Sequence, residues 1–566
     1  MRKLIILISL TVVLLFILGC DDSDGRYVDE SQGNKTAFTN GDIYTANDMN
    51  PWAETIVIED DHIVFVGSDD DASQWIDEQT IVIDLEGTML MPGLHDTHSH
   101  PFVMMSTALV TCNLFEGQSK ADYLQLIEAC LDDQSDRDVV IGMGFNIDNF
   151  GGKYPHKRDL DRIIPDKPAV FIDNGGHAAW ANSAMLELAG INADTEAEYG
   201  KVVKDEYGEP TGFFLEDAMS LVTNLGFELD EEEQKEALKR AVSMMNAKGI
   251  TSFVEAQVIT QDTEDIFVSL DQVGELNART NLALWVDPTK PDSQIAELIK
   301  RKGVKSPFVD VNQAKFLIDG TFEIQTAALL EPYNTDPDNY GMMTFNQDRL
   351  NSYATKLEKA GFSLHMHTVG DRGVRSALDA FEYAYSTNGI ENVRNVLTHL
   401  YLIDDEDIQR FNDLNVIANY QAYWAQPYMY DFAETVGDER IESMFPFKKL
   451  HDAGVMITAG SDWPVSTFNP FKAMEVAITR ENPEDNFSDD ALNESQSLDL
   501  ETILDAYTIN GAYLMHQEDV TGSLEVGKKA DLIVLDRNLF ETPAEDVGET
   551  KVIMTMLDGK VIYEAY

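Results

Sequence analysis

Cysteine is scarce: the 566 residues hold three, Cys20, Cys112 and Cys130. A disulfide framework is therefore excluded as what holds a chain of this size together. Neither the spacing nor the neighbours of Cys112 and Cys130 suggest a thiolate metal site, and the sequence leaves open whether they form one bridge or stay two buried thiols. Basic residues are also few, 41 Lys plus Arg against 100 Asp plus Glu, for a formal net charge of −59. A surface this negative repels nucleic acid and anionic membranes, which excludes both as partners. The acids are spread through the whole chain, so they read as adaptation to a salty medium and not as an acidic functional patch. Internal repeats and low-complexity blocks are absent, which excludes solenoid and fibrous architectures. With 44% hydrophobic and 9% aromatic residues, the expectation is one large catalytic domain with a smaller companion.

What is present begins at the first residues. Arg2 and Lys3 precede an apolar run from Leu4 to Leu18, closed by Leu18-Gly19-Cys20. This reads as a signal peptide over residues 1–20 whose end resembles a bacterial lipoprotein cleavage box, with Cys20 as the lipidation site. A plain signal anchor is the alternative. Residues 21–36 read as a flexible tether. The expected location is a cell-envelope lipoprotein on the periplasmic face of a bacterial membrane, inner or outer, attached through that anchor. Nothing in the sequence excludes a homodimer.

From Ala37 to Leu90 short β-rich runs alternate with Asp, Gly and Asn turns, and the same texture returns from Ala530 to Tyr563. The two ends, 37–90 and 518–566, are expected to build one small β-sandwich. Between them, residues 91–517 alternate apolar strand candidates with helical patterns, the signature of an α/β fold with a parallel sheet. The candidates are Leu94 to His100, Thr251 to Glu255, Leu282 to Val286, Ala314 to Asp319, Phe362 to His367, Val396 to His399, Val416 to Tyr420 and Met456 to Ser461. Eight is the number that a (β/α)8 TIM-type barrel requires. Residues 102 to about 245 break the spacing and are assigned to a subdomain inserted after the first barrel strand, over the barrel mouth; it includes the strand-like run Val170 to Asp173.

Several of these strands end in residues able to do chemistry. His98 and His100 lie two apart, so their side chains share one face of the strand and make a divalent-metal pair. A lone His-x-His is a weak signal; its weight comes from His367 and His399 at the ends of the fifth and sixth strands and a carboxylate, Asp462, at the end of the eighth. His365 has the parity of His367 but lies about 7 Å deeper, which makes it the packing or supporting histidine.

Met91-Pro92-Gly93 leading into Asp96-x-His98-x-His100, followed by His367, His399 and Gly460-Ser461-Asp462, resembles the amidohydrolase superfamily of metal-dependent hydrolases. More narrowly the chain is similar to the amidohydrolase family 3 branch that includes N-substituted formamide deformylases. It shares Asn174-Gly175-Gly176-His177 with Asn182-Ser183, Glu209-Pro210-Thr211-Gly212 with Glu216, His367-x-x-Gly370-Asp371-Arg372, and the tail Gly522 to Leu532. The resemblance implies one or two divalent ions, zinc foremost, held by His98, His100, His367, His399 and Asp462. Asp462 would also take the proton of the attacking water and pass it to the leaving amine. Many relatives bridge two ions with a carboxylated lysine on the fourth strand, and Lys315 is the candidate here. The opposing reading pairs Lys315 with Asp319 or Glu255, and Glu216 is a third source of the bridge. His177, Glu216, Arg372 and Trp463 are the substrate-side candidates, Trp463 also as plain pocket wall. The implied reaction is hydrolysis of a small formamide, N-acyl amine or cyclic amide. An ester, lactone or phosphoester on the same site is the rival reaction, and a binding lipoprotein without catalysis the rival class.

Overall fold

Eight parallel strands form a nearly closed barrel: β1 (Leu94–Ser99), β2 (Ile250–Val258), β3 (Arg279–Trp285), β4 (Val309–Leu317), β5 (Ser363–Thr368), β6 (Val396–His399), β7 (Ile417–Tyr420) and β8 (Ile457–Ala459). The computed structural model describes residues 35–565 apart from 109–110, 132–133, 136, 198, 226–228, 390–392 and 485–489. The expected signal peptide, Cys20 and nearly all of the tether lie outside the described residues.

Each barrel strand pairs in parallel with the next from β1 to β8. The seam between β8 and β1 is joined at its upper end: Asp462 N–H donates to the His98 carbonyl at 2.7 Å and His100 N–H to the Trp463 carbonyl at 2.8 Å. Below them Thr97 Oγ1 donates to the Ala459 carbonyl at 2.7 Å. Helices return the chain between strands, among them Glu231–Asn246, Gln261–Gln272, Gln347–Lys359, Asp371–Asn388 and Asp405–Asp413. The first of these opens with a reciprocal cap in which Asp230 and Glu233 each hold the other's backbone N–H. The strands are buried on both faces, polar residues included: His95, Asp96 and Thr97 of β1 are as buried as Leu94.

Between β1 and the helix Glu231–Asn246 lies a second, six-stranded sheet. Its order is Lys201–Lys204, Pro210–Leu215, Ala178–Ala181, Ala169–Asp173, Val140–Phe145, Cys112–Asn113. It has its own cores, one built on Tyr123, Phe145, Trp180 and Phe213, the other on Val170, Met185 and Phe214. The strand Ala169–Asp173 belongs to this sheet and not to the barrel. Cys112 and Cys130 are bridged, joining the edge strand to the helix Lys120–Cys130.

Two further sheets pack face to face. One has four strands, all from residues 35–84; the other has six, drawn from Asp42–Tyr44, Trp52–Ala53 and Met89–Pro92 at one end of the chain and Leu532–Leu535, Val552–Leu557 and Lys560–Glu564 at the other. Phe38, Ile56, Ile58, Leu90, Leu532 and Met556 fill the space between them. Met89–Pro92 runs directly into β1 through Gly93, where a Cβ would stand 2.3 Å from Thr251 Oγ1, so only glycine lets the chain pass this close to β2. Arg279 at the start of β3 reaches across to Asp531 at 2.6 Å and Asp558 at 2.9 Å. This buried charge network joins barrel to sandwich, and removing one partner would leave an uncompensated buried charge.

Candidate metal centre

Parallel barrel strands deliver their C-terminal ends to one face, where the groups they carry must meet. His98 and His100 alternate with Ser99 on and just past β1. Asp462 stands past β8 with Oδ1 at 3.2 Å from Nε2 of His98 and 3.2 Å from Nε2 of His100. One ligand atom from each of these three residues falls within 4.8 Å of the other two. Asp462 and its neighbours are built on strained backbone: φ is +53° at Asp462, +77° at His399, +53° at Leu400 and +53° at Glu216. Non-glycine residues held in the left-handed region concentrate at functional sites, where the surrounding structure over-determines them.

The remaining imidazoles close around this trio. His399 lies 4.9 Å from His98 between ring centroids, and His367 lies 4.4 Å from His399. Burial pushes His98 and His399 well below the ordinary histidine range and lowers His367 as well, so all three are neutral with lone pairs available. His367 Nδ1 faces Asp319 Oδ1 at 3.6 Å. Asp319 is fixed in turn by the N–H groups of Ala328, Val369 and Gly370 at 2.9, 2.9 and 2.8 Å.

Lys315 rises from β4 into the same space, 4% exposed, with Nζ at 3.3 Å from His98 Nε2. Pairing with Asp319 or Glu255 is not what the structure contains. Asp319 is spent on the three backbone amides, and Glu255 accepts the Phe102 N–H at 2.9 Å. Burial, opposed by Asp462, pushes the Lys315 amine down to about 7. Among the described residues no carboxylate comes within ion-pairing distance of it, so a neutral amine is the state its surroundings favour.

His365 sits beneath the trio with its Nε2 at 2.6 Å from His98 Nδ1 and its Nδ1 at 2.9 Å from Gln313 Oε1. The amide oxygen can only accept, so His365 carries its proton on Nδ1 and takes the Nδ1–H of His98 on its own Nε2. That fixes the His98 tautomer and leaves its Nε2 lone pair facing Asp462 Oδ1. Two acceptors facing each other at 3.2 Å are stabilised by a cation between them, and this donor set of imidazoles, a carboxylate and an amine fits a divalent ion. Burial alone would raise the Asp462 carboxyl, but the hydrogen bond from His100 holds it below its ordinary value. Asp96 ties the trio from below, accepting Ser461 N–H at 2.9 Å, Ser461 Oγ–H at 2.6 Å and His98 N–H at 3.3 Å.

The second sheet brings His177 and Glu216 to the barrel mouth. His177 lies 5.5 Å from His367 between rings, and its Nδ1 is 2.8 Å from Glu216 Oε2. Glu216 is not at the His98–Asp462 trio: its second oxygen accepts from Thr326 on the loop after β4, and Gly320 leaves room for it where a Cβ would stand 2.2 Å away. Although burial opposes it, the Glu216 charge raises His177 to about 9, which keeps the imidazole protonated. Arg372 does not join the cluster; its guanidinium donates to the Tyr340 carbonyl at 2.9 Å. Trp463 is buried against Phe468 at 4.6 Å between rings and walls the site. Sequence reasoning passed over Gln313, and Asp96 as a clamp. Gln313 shares strand parity with Lys315, and Asp96 with His98, which is the signal that could have found them.

The amidohydrolase family model matches residues 81–563. The chain is 26% identical over 546 residues to the N-substituted formamide deformylase of Arthrobacter pascens, across 93% of this chain and 97% of that protein. It is 28% identical over 537 residues to the protein LONG AFTER FAR-RED 3 of Arabidopsis thaliana, across 93% and 91%. The crystal structure of an uncharacterized metal-dependent hydrolase from Pyrococcus horikoshii shares the fold at a TM-score of 0.72 and 24% identity, over 90% of this chain and 99% of that one.

Proposed function

The chain belongs to the amidohydrolase family of metal-dependent hydrolases, and from that premise we propose that it cleaves the carbon–nitrogen bond of a small formamide, N-acyl amine or cyclic amide. The observation that carries this reading is the convergence of His98, His100 and Asp462 at the barrel mouth. His98, His100, His367, His399 and Asp462 would hold one or two divalent ions, zinc foremost. Lys315 would supply a bridging oxygen pair after its neutral amine adds carbon dioxide and releases a proton. The ion, when bound, supplies Lewis acidity: it makes water a nucleophile near neutral pH and polarises the carbonyl.

The chain's own groups do the rest. Asp462, ionised and within 3.2 Å of two imidazoles, takes the proton of the attacking water and passes it to the departing amine nitrogen, so the carbon–nitrogen bond breaks without releasing an amide anion. His365 and Gln313 hold His98 in one tautomer throughout. His177, kept charged by Glu216, points its remaining N–H towards the substrate oxygen and steadies the negative charge that grows there. Likeness to the formamide deformylase over nearly its whole length supports the formamide end of the substrate range.

The test is to purify the protein without chelator, count its divalent ions, and assay it against matched amide, ester and phosphoester panels. Stoichiometric metal with amide turnover is expected; turnover confined to phosphoesters, or no bound metal, overturns the reading. Export as a lipoprotein anchored at Cys20 is part of the same proposal, supported by the Cys112–Cys130 bridge, which belongs to an oxidising compartment. Substituting Cys20→Ala is expected to move the protein from the membrane to the soluble fraction, and unchanged fractionation would remove the anchor.

A further inference from the structure

The groups assigned to hydrolysis stand on two separately cored units. The barrel carries the metal ligands, while the second sheet, with cores of its own, carries His177 and Glu216. The His177 ring lies 5.5 Å from the His367 ring across that divide. A catalytic constellation has to be held to within about 0.5 Å of its productive geometry, so something must fix the one unit against the other. The loop of residues 318–346, after β4, touches both. At its start Asp319 faces His367 Nδ1 at 3.6 Å, and further along the same loop Thr326 donates its hydroxyl to Glu216 Oε1.

Thr326 is held from every side. It is 3% exposed, and its hydroxyl oxygen accepts the Thr321 N–H at 3.0 Å. Its carbonyl accepts the N–H groups of Gly320 at 3.3 Å and Met342 at 2.9 Å, and its own N–H donates to the Thr321 carbonyl at 2.9 Å. A Cβ on Gly320 would collide with Thr326 Oγ1 and with Glu216 Oε1, so the glycine leaves the gap in which the two meet. Glu216 is 8% exposed, accepts from His177 Nδ1 on Oε2 at 2.8 Å, and donates its own N–H to the His177 carbonyl at 2.8 Å. Its φ of +53° is one that a glutamate keeps only where its surroundings enforce it. On the other side of His177, Asp173 closes the hairpin by accepting the N–H groups of Ala178 at 2.7 Å and Gly175 at 3.3 Å. The direction of the His177 ring is therefore decided at Glu216, and the direction of the Glu216 carboxylate at Thr326.

We propose that Thr326 is a positioning residue: through Glu216 it sets the direction in which His177 presents its free N–H to the substrate over the metal centre. It acts through that relay and not by touching the reacting atoms. The task of His177 rests on the hydrolase reading, whereas the relay from Thr326 through Glu216 to His177 is a property of the folded protein and is tested apart from turnover. Thr326→Val keeps the shape of the side chain and deletes its hydroxyl, which leaves Glu216 Oε1 without a donor among the described residues. Thr326→Ser keeps the hydroxyl.

Steady-state kinetics of the metal-loaded protein on its best amide give the first readout. Thr326→Val is expected to lower kcat about 10- to 100-fold with KM within about threefold of wild type, and Thr326→Ser to stay within about threefold in both. His177→Ala should lower kcat about 100- to 1000-fold, and adding Thr326→Val to it should cost nothing further, because the relay has lost its end. A merely structural role for Thr326 would add to the His177→Ala loss. Additive losses, an unchanged kcat in Thr326→Val, or a loss that Thr326→Ser does not recover overturns the proposal. The second readout needs no substrate. In protein labelled with nitrogen-15 histidine, the His177 Nδ1–H signal is identified by its absence from His177→Ala. It is expected to be shielded from solvent exchange in wild type and Thr326→Ser and to exchange away in Thr326→Val. A signal that follows the hydroxyl in a protein that turns over no amide refutes the hydrolase reading and keeps the relay. Amide turnover with the same signal and the same kcat in Thr326→Val refutes the relay and keeps the hydrolase.

Discussion

His95 is a histidine from the metal motif that never reaches the metal. It points away from His98 and His100 on β1, packs where Gly511 leaves it 2.6 Å from a would-be Cβ, and neither ring nitrogen finds a hydrogen-bond partner among the described residues. Burial, reinforced by Arg279 and opposed by Asp531, pushes it down to about 4. The folded state therefore holds it neutral while the unfolded chain protonates it near 6.5, so its contribution is fully present above pH 6.5 and lost as pH falls through about 4. Over that window the wild type should lose about 3 kcal/mol more stability than His95→Phe, read by denaturant melts at pH 7, 5.5 and 4. Parallel pH dependence of the two proteins would show that His95 does not titrate in this window. A second prediction belongs to Gln313. Gln313→Leu removes the acceptor that fixes the His365 and His98 tautomers, so metal affinity should fall about 10- to 100-fold, measured by chelator competition; unchanged affinity would remove the relay. At this scale the sequence was legible where chemistry repeats at strand ends: His98, His100 and Asp462, which the structure brings together, were named that way, as were His367 and His399, whereas Lys315 came from the family resemblance. Gln313 was not, because a lone polar residue says nothing until its partner His365, 52 residues away, is known.

All eight barrel strands were legible as elements, because each is a short run bounded by turn signals and several end in a polar residue able to do chemistry. Their lengths were less so. β8 is three residues, Ile457–Ala459, where the apolar run suggested six, because the chain leaves the ladder at Gly460 to bring Asp462 back onto His98. What periodicity could not show is that the second sheet reaches the site: His177 and Glu216 are linked by a backbone bond of 2.8 Å and dock on Thr326 from the barrel, a contact between segments 110 residues apart. That sheet depends on its bridge. Cys112 and Cys130 close a loop of sequence separation 18, for which chain entropy gives about 3 kcal/mol. Reduction, or Cys112→Ser with Cys130→Ser, is expected to make the segment 112–215 exchange amide hydrogens faster and to raise KM through His177, while the metal stays bound by the barrel. Loss of metal along with the bridge would show that the two parts fold as one unit.

For the whole molecule the dominant electrostatic fact is the charge of −59. Its few cations are already crowded by acids: Arg410 alone meets Asp379, Glu382 and Asp407, and Arg375 meets Asp404, Glu406 and Asp407. The exposed pairs among these are worth about 0–1 kcal/mol each and weaken with salt, while Asp407, buried between Arg375 and Arg410, is screened less. With 100 acids against 41 bases, most carboxylates have no cation to meet, so repulsion outweighs attraction and screening should stabilise the fold. The Debye length falls from ~30 Å at 0.01 M to ~10 Å at 0.1 M and ~3 Å at 1 M. If self-repulsion is the cause, most of the gain in melting temperature, several degrees, comes below about 0.3 M and is the same for chloride and sulfate salts at equal ionic strength. If exclusion of salt from the protein surface is the cause, the gain continues into the molar range and sulfate exceeds chloride. A melting temperature that does not move between 0.01 and 0.3 M would remove self-repulsion as a property of this surface and leave its acidity without a stability role.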